Sequence, residues 1–148
     1  MTNIEIIKKN LDPKFNEAVM QRAAETTNKE KILMVFAPSG YDTLYVITER
    51  CVYIFEGTKH CQAVSTRKAE FRNITEFHLY NRNAYDTIAV ISKGHVVFVL
   101  KSLNLTSALQ LLRIMYQQQV LNDPLYPDKD KVRNDFDNWH TYPAQLVM

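Results

Sequence analysis

The sequence predicts a mainly β, α+β domain of about seven antiparallel strands followed by a single helix. Three observations carry this. From Lys31 onward apolar residues recur at every second position, in short runs separated by turn signals. After Lys101 the period becomes helical. The composition is that of an ordinary folded chain, with 46% hydrophobic and 23% charged residues and only 3 Gly and 5 Pro in 148 residues. That excludes a disordered chain, a collagen and a coiled coil. A chain of this length buries roughly two-thirds of its unfolded surface, so its core needs no staples.

The first segment holds Ile4, Ile6, Ile7 and Leu11, and reads equally as a short helix or an extended arm. Asp12-Pro13 then has the form of an N-cap with proline at the first helical position. Phe15, Val19 and Arg22/Ala23 follow at helical spacing, which predicts a helix from Pro13 to about Thr26. In the first strand Ile32, Met34 and Phe36 alternate with Leu33, Val35 and Ala37, so both faces are apolar. Pro38-Ser39-Gly40 is a turn. Leu44–Ile47 and Cys51–Phe55 are the next two strands, joined by Thr48-Glu49-Arg50. Gly57-Thr58 reads as a turn, Gln62–Ser65 as a weak fourth strand, and Phe71–Tyr80 holds a fifth. After a turn at Asn81-Arg82-Asn83, Asp86–Ile91 and His95–Leu100 form the clearest hairpin, through Ser92-Lys93-Gly94. The last helix is expected from Leu105 to about Val120. Its stripe is Leu105, Leu109, Leu112 and Met115/Tyr116, with Ala108 and Leu111 beside it, and Gln117-Gln118-Gln119 faces outward or frays. Residues from Asn122 onward read as a tail with one helical turn around Val132 to Trp139.

Net charge is only +2, which points to no polyanionic partner by itself. The middle is mildly basic, with eight basic and four acidic residues between Arg50 and Lys101. The tail is mildly acidic. Met1–Leu11 carries Glu5, Lys8 and Lys9 and is not a signal peptide, and no apolar run reaches the ~20 residues of a transmembrane helix. The expected setting is therefore cytoplasmic, with Cys51 and Cys61 reduced. Their spacing fits no zinc pattern, even with His60, His78 or His95 as further ligands. Asp128-Lys129-Asp130 resembles the opening of a calcium loop but lacks the glycine and closing glutamate. No metal and no cofactor is expected. Neither a nucleophile elbow, a P-loop, a GxGxxG nor an HExxH occurs, so no catalytic residues are assigned and no enzyme is expected.

The segment Leu44-Tyr45-Val46-Ile47-Thr48-Glu49-Arg50-Cys51-Val52-Tyr53-Ile54-Phe55 resembles the hairpin of bacterial PH-like and GRAM-like domains, an apolar run, Thr, a polar residue, Arg and a second apolar run. Asn73-Ile74-Thr75-Glu76-Phe77, Ser92-Lys93-Gly94 and the Leu105–Tyr116 stripe fall where that family has its next features. The resemblance covers about residues 31–120. It implies a pleckstrin-homology-like seven-stranded antiparallel sandwich or partial barrel, capped by the C-terminal helix. The expected division is a helical arm over residues 1–30, the PH-like domain over 31–121 and the tail over 122–148.

Such a fold implies binding rather than catalysis. A phosphoinositide site would need bases in the first strand-to-strand loop. Here Pro38-Ser39-Gly40-Tyr41-Asp42 carries an acid and no base, so a lipid headgroup is disfavoured. The family also uses a peptide groove between the fifth strand and the last helix. The corresponding positions are Phe77, Leu79, Tyr80, Met115 and Tyr116, with core packing as the competing reading. Phe136, Trp139 and Tyr142 in the tail are candidate contacts to a protein partner, to a second copy in a homo-oligomer, or to the chain's own domain. The favoured function is thus a non-catalytic scaffold or binding module of a bacterial or phage protein. The alternative is a nucleic-acid-binding accessory protein using Arg67, Lys68, Arg72 and Arg82 interleaved with aromatics.

Overall fold

The computed structural model describes residues 1–58, 61–82 and 85–123. Its elements are α1 (Asn3–Lys9), α2 (Glu17–Thr26), β1 (Ile32–Phe36), β2 (Thr43–Thr48), β3 (Cys51–Thr58), β4 (Cys61–Glu70), a 3-10 turn at Phe71–Asn73, β5 (Glu76–Arg82), β6 (Tyr85–Ser92), β7 (His95–Leu103) and α3 (Leu105–Leu121). Two antiparallel sheets run β1-β2-β3-β4 and β5-β6-β7. Contacts divide the chain into two units, Met1–Ala69 and Glu70–Met148, one sheet in each. The expected helical turn at Val132–Trp139 lies outside the described residues.

In the first unit the undecided N-terminal segment is a helix. A capping box decides it: Glu5 N donates to Thr2 Oγ1 at 3.3 Å and Thr2 N to Glu5 Oε2 at 3.4 Å. The second helix starts later than Asp12-Pro13 implies. Asp12 makes a separate turn, accepting from Lys14 N at 2.8 Å. Asn16 is the true cap, its Oδ1 accepting from Ala18 N and Val19 N at 3.0 and 3.3 Å. Ile7, Phe15, Val19, Met20 and Ala23 pack with Leu44, Val46, Cys51, Tyr53 and Phe55 in one buried cluster. Register explains the choice of strand residues. Leu44 pairs with Phe55 and Val46 with Tyr53 on that face, while Tyr45–Ile54 and Ile47–Val52 are buried on the opposite one.

Two signals read differently in three dimensions. The alternation in β1 is broken by a register shift between Ile32 and Met34, so Ile32 shares the helix-facing cluster with Val35 and Ala37. Gly57 is not a turn residue but lies within β3, which runs to Thr58. A Cβ there would stand 2.7 Å from Val19 Cγ2 and 2.9 Å from Asn16 Nδ2. The glycine lets α2 approach the sheet. β4 is ten residues long, well beyond Gln62–Ser65, and Ala63, Ser65, Thr66, Arg67 and Lys68 are all exposed. A strand wet on both faces at a sheet edge carries no hydrophobic period to read.

In the second unit the expected fifth strand splits. Phe71–Asn73 is a 3-10 turn and β5 begins at Glu76. Ser92 pairs with His95 across a two-residue turn in which Lys93 (φ 52°) and Gly94 (φ 81°) are both left-handed. Thr75 Oγ1 accepts from Lys93 N at 3.2 Å and donates to Ile91 O at 3.1 Å, which ties the hairpin tip to the entry of β5. Asn104 caps α3 through Ser107 N at 2.8 Å. The buried stripe is Ala108, Leu111, Leu112, Met115 and Gln118, while Leu105 is exposed. Among the described residues no helix is long and apolar enough to cross a membrane.

Candidate functional site

The β1–β2 loop is tied down within its own unit. Asn16 N donates to Tyr41 O at 2.8 Å, Asn16 Nδ2 to Asp42 Oδ1 at 3.0 Å, and Gly57 N to Asp42 O at 2.9 Å. The loop is thus fastened to the cap of α2 and to β3, with Asp42 as its charged side chain. A carboxylate in this place repels phosphate rather than cradling it.

The β5–α3 region carries more binding chemistry. Register fixes which backbone groups of β5 are available. Ser92–His95 closes a two-residue hairpin, so even-numbered residues of β6 bond toward β7 and odd-numbered ones toward β5. Glu76, His78 and Tyr80 therefore bond to Ile91, Ala89 and Thr87. Phe77, Leu79 and Asn81 turn their N–H and C=O groups to the outer edge, because β5 ends the sheet among the described residues. Helix α3 takes part of this edge. Tyr116 Oη donates to Phe77 O at 3.1 Å, and Gln119 Nε2 donates to Ile74 O at 2.8 Å. The Tyr116 ring meets the Phe77 ring edge-on at 5.0 Å. Burial, and then the Glu76 carboxylate, push the Tyr116 phenol above its ordinary range, so it stays a donor.

The anticipated groove residues fall into two groups. Phe77, Leu79 and Met115 are buried core and so present no side chain to a partner. Tyr80, at 39% exposure, stands on the outer face with His78 and Glu76, whose Nε2 and Oε2 lie 2.6 Å apart. Tyr116 is half-buried and bridges helix and strand. Two features escaped the sequence reading. One is Gln119, expected to face outward, and with it the buried Gln118. The other is the outward-facing main chain at Leu79 and Asn81, which pairs with no strand among the described residues. The Gln119 signal was its spacing of three from Tyr116, which puts both on one helix face.

The basic set is partly neutralised. Arg67 pairs with Glu56 and Arg72 with Glu70, the latter at 2.8 Å. Lys68 is exposed, and the Arg82 side chain lies outside the described residues, as do His60, Phe136, Trp139 and Tyr142.

No family model matches this chain, and no curated protein matches it. Among solved structures it is similar to the crystal structure of a pleckstrin homology domain from Shewanella amazonensis SB2B, at 14% identity and a TM-score of 0.51, over 69% of this chain and 98% of that one. Two antiparallel sheets of four and three strands, followed by one C-terminal helix, together with this likeness, give the chain a pleckstrin-homology-like fold.

Proposed function

We propose that the chain is a non-catalytic binding module that receives an extended protein segment along β5, beside α3. The observation that carries this reading is the edge at Leu79 and Asn81, which no strand among the described residues covers, next to the exposed Tyr80 ring. Outward N–H and C=O groups give a peptide main-chain bonds, and an amphipathic aromatic beside them gives it contact area. A reducing, cytoplasmic setting, with the buried Cys51 as a thiol, is part of the same reading. Nucleic acid draws less support, since Arg67 and Arg72 already neutralise carboxylates.

The test is to pan displayed nine-residue peptides against the full chain and titrate the enriched ones by amide NMR. Shifts at Leu79 and Asn81, with about tenfold weaker binding by Tyr80→Ala, are expected. Enriched peptides that leave β5 and α3 unshifted would overturn the assignment. Binding of a single-stranded oligonucleotide that falls steeply with salt would move the reading to the basic residues.

A further inference from the structure

We propose that Tyr116 fixes the register and length of the segment received on β5, by stopping the added ladder at Phe77. This rests on the reading of β5 and α3 as a peptide-binding edge, and assigns that site a residue that selects among segments.

The acceptors on the edge decide it. An added strand gains one bond for each outward carbonyl that takes its N–H. By register those carbonyls belong to Phe77, Leu79 and Asn81, one at every second residue. The first is already taken. Tyr116 Oη donates to Phe77 O at 3.1 Å, and Gln119 Nε2, three residues on along the same face of α3, donates to Ile74 O at 2.8 Å. Two helix side chains thus stand where the N–H groups of a longer strand would come. Leu79 O and Asn81 O have no such helix donor among the described residues.

An arriving strand gains nothing by displacing Tyr116. The ring meets that of the fully buried Phe77 edge-on at 5.0 Å. Burial keeps the phenol protonated, and so a donor. An arriving N–H would exchange one hydrogen bond for another and lose the ring contact as well. The ladder therefore ends short of Phe77 O. Phe77 N–H points to the same edge and remains a donor for a carbonyl of the segment, so the block falls on one N–H of the segment alone. A segment that slides two residues toward Phe77 leaves that N–H without an acceptor, which holds it in one register.

The probe is the peptide most enriched when displayed nine-residue sequences are panned against the full chain, resynthesised with each backbone N–H methylated in turn. Alternate N–H groups of an added strand point away from β5 and are silent. On the unaltered chain two methylations, two residues apart, should each weaken binding about fivefold, and the next in step on the Phe77 side should leave it unchanged. Tyr116→Phe keeps the ring and removes the donor. It should make that third methylation cost about fivefold too, with the amide spectrum as the check on folding. A general loss of stability would weaken all the peptides alike and single out no N–H. Three costly methylations on the unaltered chain would overturn the proposal, a result that needs no variant. So would a third position that stays silent in Tyr116→Phe. The peptide-binding reading survives either result, because it rests on shifts at Leu79 and Asn81. Enriched peptides that leave β5 unshifted would overturn both together.

Discussion

The two sheets are finished in opposite ways. In β2 and β3 every residue from Leu44 to Ile47 and from Cys51 to Phe55 is buried, and the N-terminal helices cover one of the two faces. In β5 the odd-numbered residues Phe77 and Leu79 are core, while Glu76, His78 and Tyr80 stay exposed. The first sheet therefore spends its side chains on internal packing. The second keeps a polar, aromatic face and an edge that no described strand covers. A half-covered sheet with a free edge is where an added strand finds partners. A sheet buried on both faces has only its rim left to offer.

The sharpest way to break this contrast is to damage each core in turn. Leu112→Asp puts an unpaired charge among Ala108, Leu111 and Met115, and is expected to unfold the second unit. The measurement is near-UV circular dichroism with amide spectra, and a native spectrum with unchanged melting would contradict the packing of α3. Gly57→Ala probes the first core by adding one carbon where Val19 and Asn16 already stand. A loss of about 1–3 kcal/mol in urea unfolding is expected. Val19→Ala in the same chain should recover part of it, because it removes the closest atom.

These two sites also mark how far the sequence could be read. The β2–β3 and β6–β7 hairpins were legible because continuous apolar runs of strand length meet at short polar connections. The last helix was legible from its period, and Ala108, Leu111, Leu112 and Met115 are buried as the pattern implied, while Leu105 is exposed and Gln118 takes a buried place. α1 was ambiguous because seven residues hold barely two turns, and only the Thr2–Glu5 cap distinguishes helix from arm. Most of β4 was invisible because an exposed edge strand needs no apolar period. At the candidate site, Tyr80 and Tyr116 were legible as residues. The outward-facing main chain at Leu79 was not, since no side chain encodes which carbonyls face outward. Register settles that, and register follows from the Lys93-Gly94 turn.

A third test sharpens the contrast through pH. Tyr53 lies in the first core, its hydroxyl donating to the Glu30 carboxylate. Burial, and then that hydrogen bond, raise the phenol well above the ordinary value of 10.0. The neutral form is the one the fold prefers. Stability from this group is thus fully present below pH 10 and is lost as pH rises beyond it. Tyr53→Phe should flatten the alkaline limb of a melting-temperature profile, whereas an unaltered limb would remove Tyr53 as its source. Next in size, Asn16→Ala should cost about 1 kcal/mol through loss of the α2 cap, read as a lower urea midpoint. Smallest is Lys93→Gly in the exposed hairpin. It relieves a left-handed non-glycine residue and should raise stability by up to about 1 kcal/mol, with a lower midpoint as the contrary result.

The close approach at Gly57 also has an evolutionary reading. Position 57 lies 38 residues from position 19 along the chain, yet the two share one small volume. Neither can grow unless the other shrinks. Descendants of this sequence should therefore show these positions drifting as a pair, alanine or serine at 57 accompanied by alanine or glycine at 19. That correlated substitution would trace the seat of α2 on the sheet in sequences too divergent to align by similarity alone.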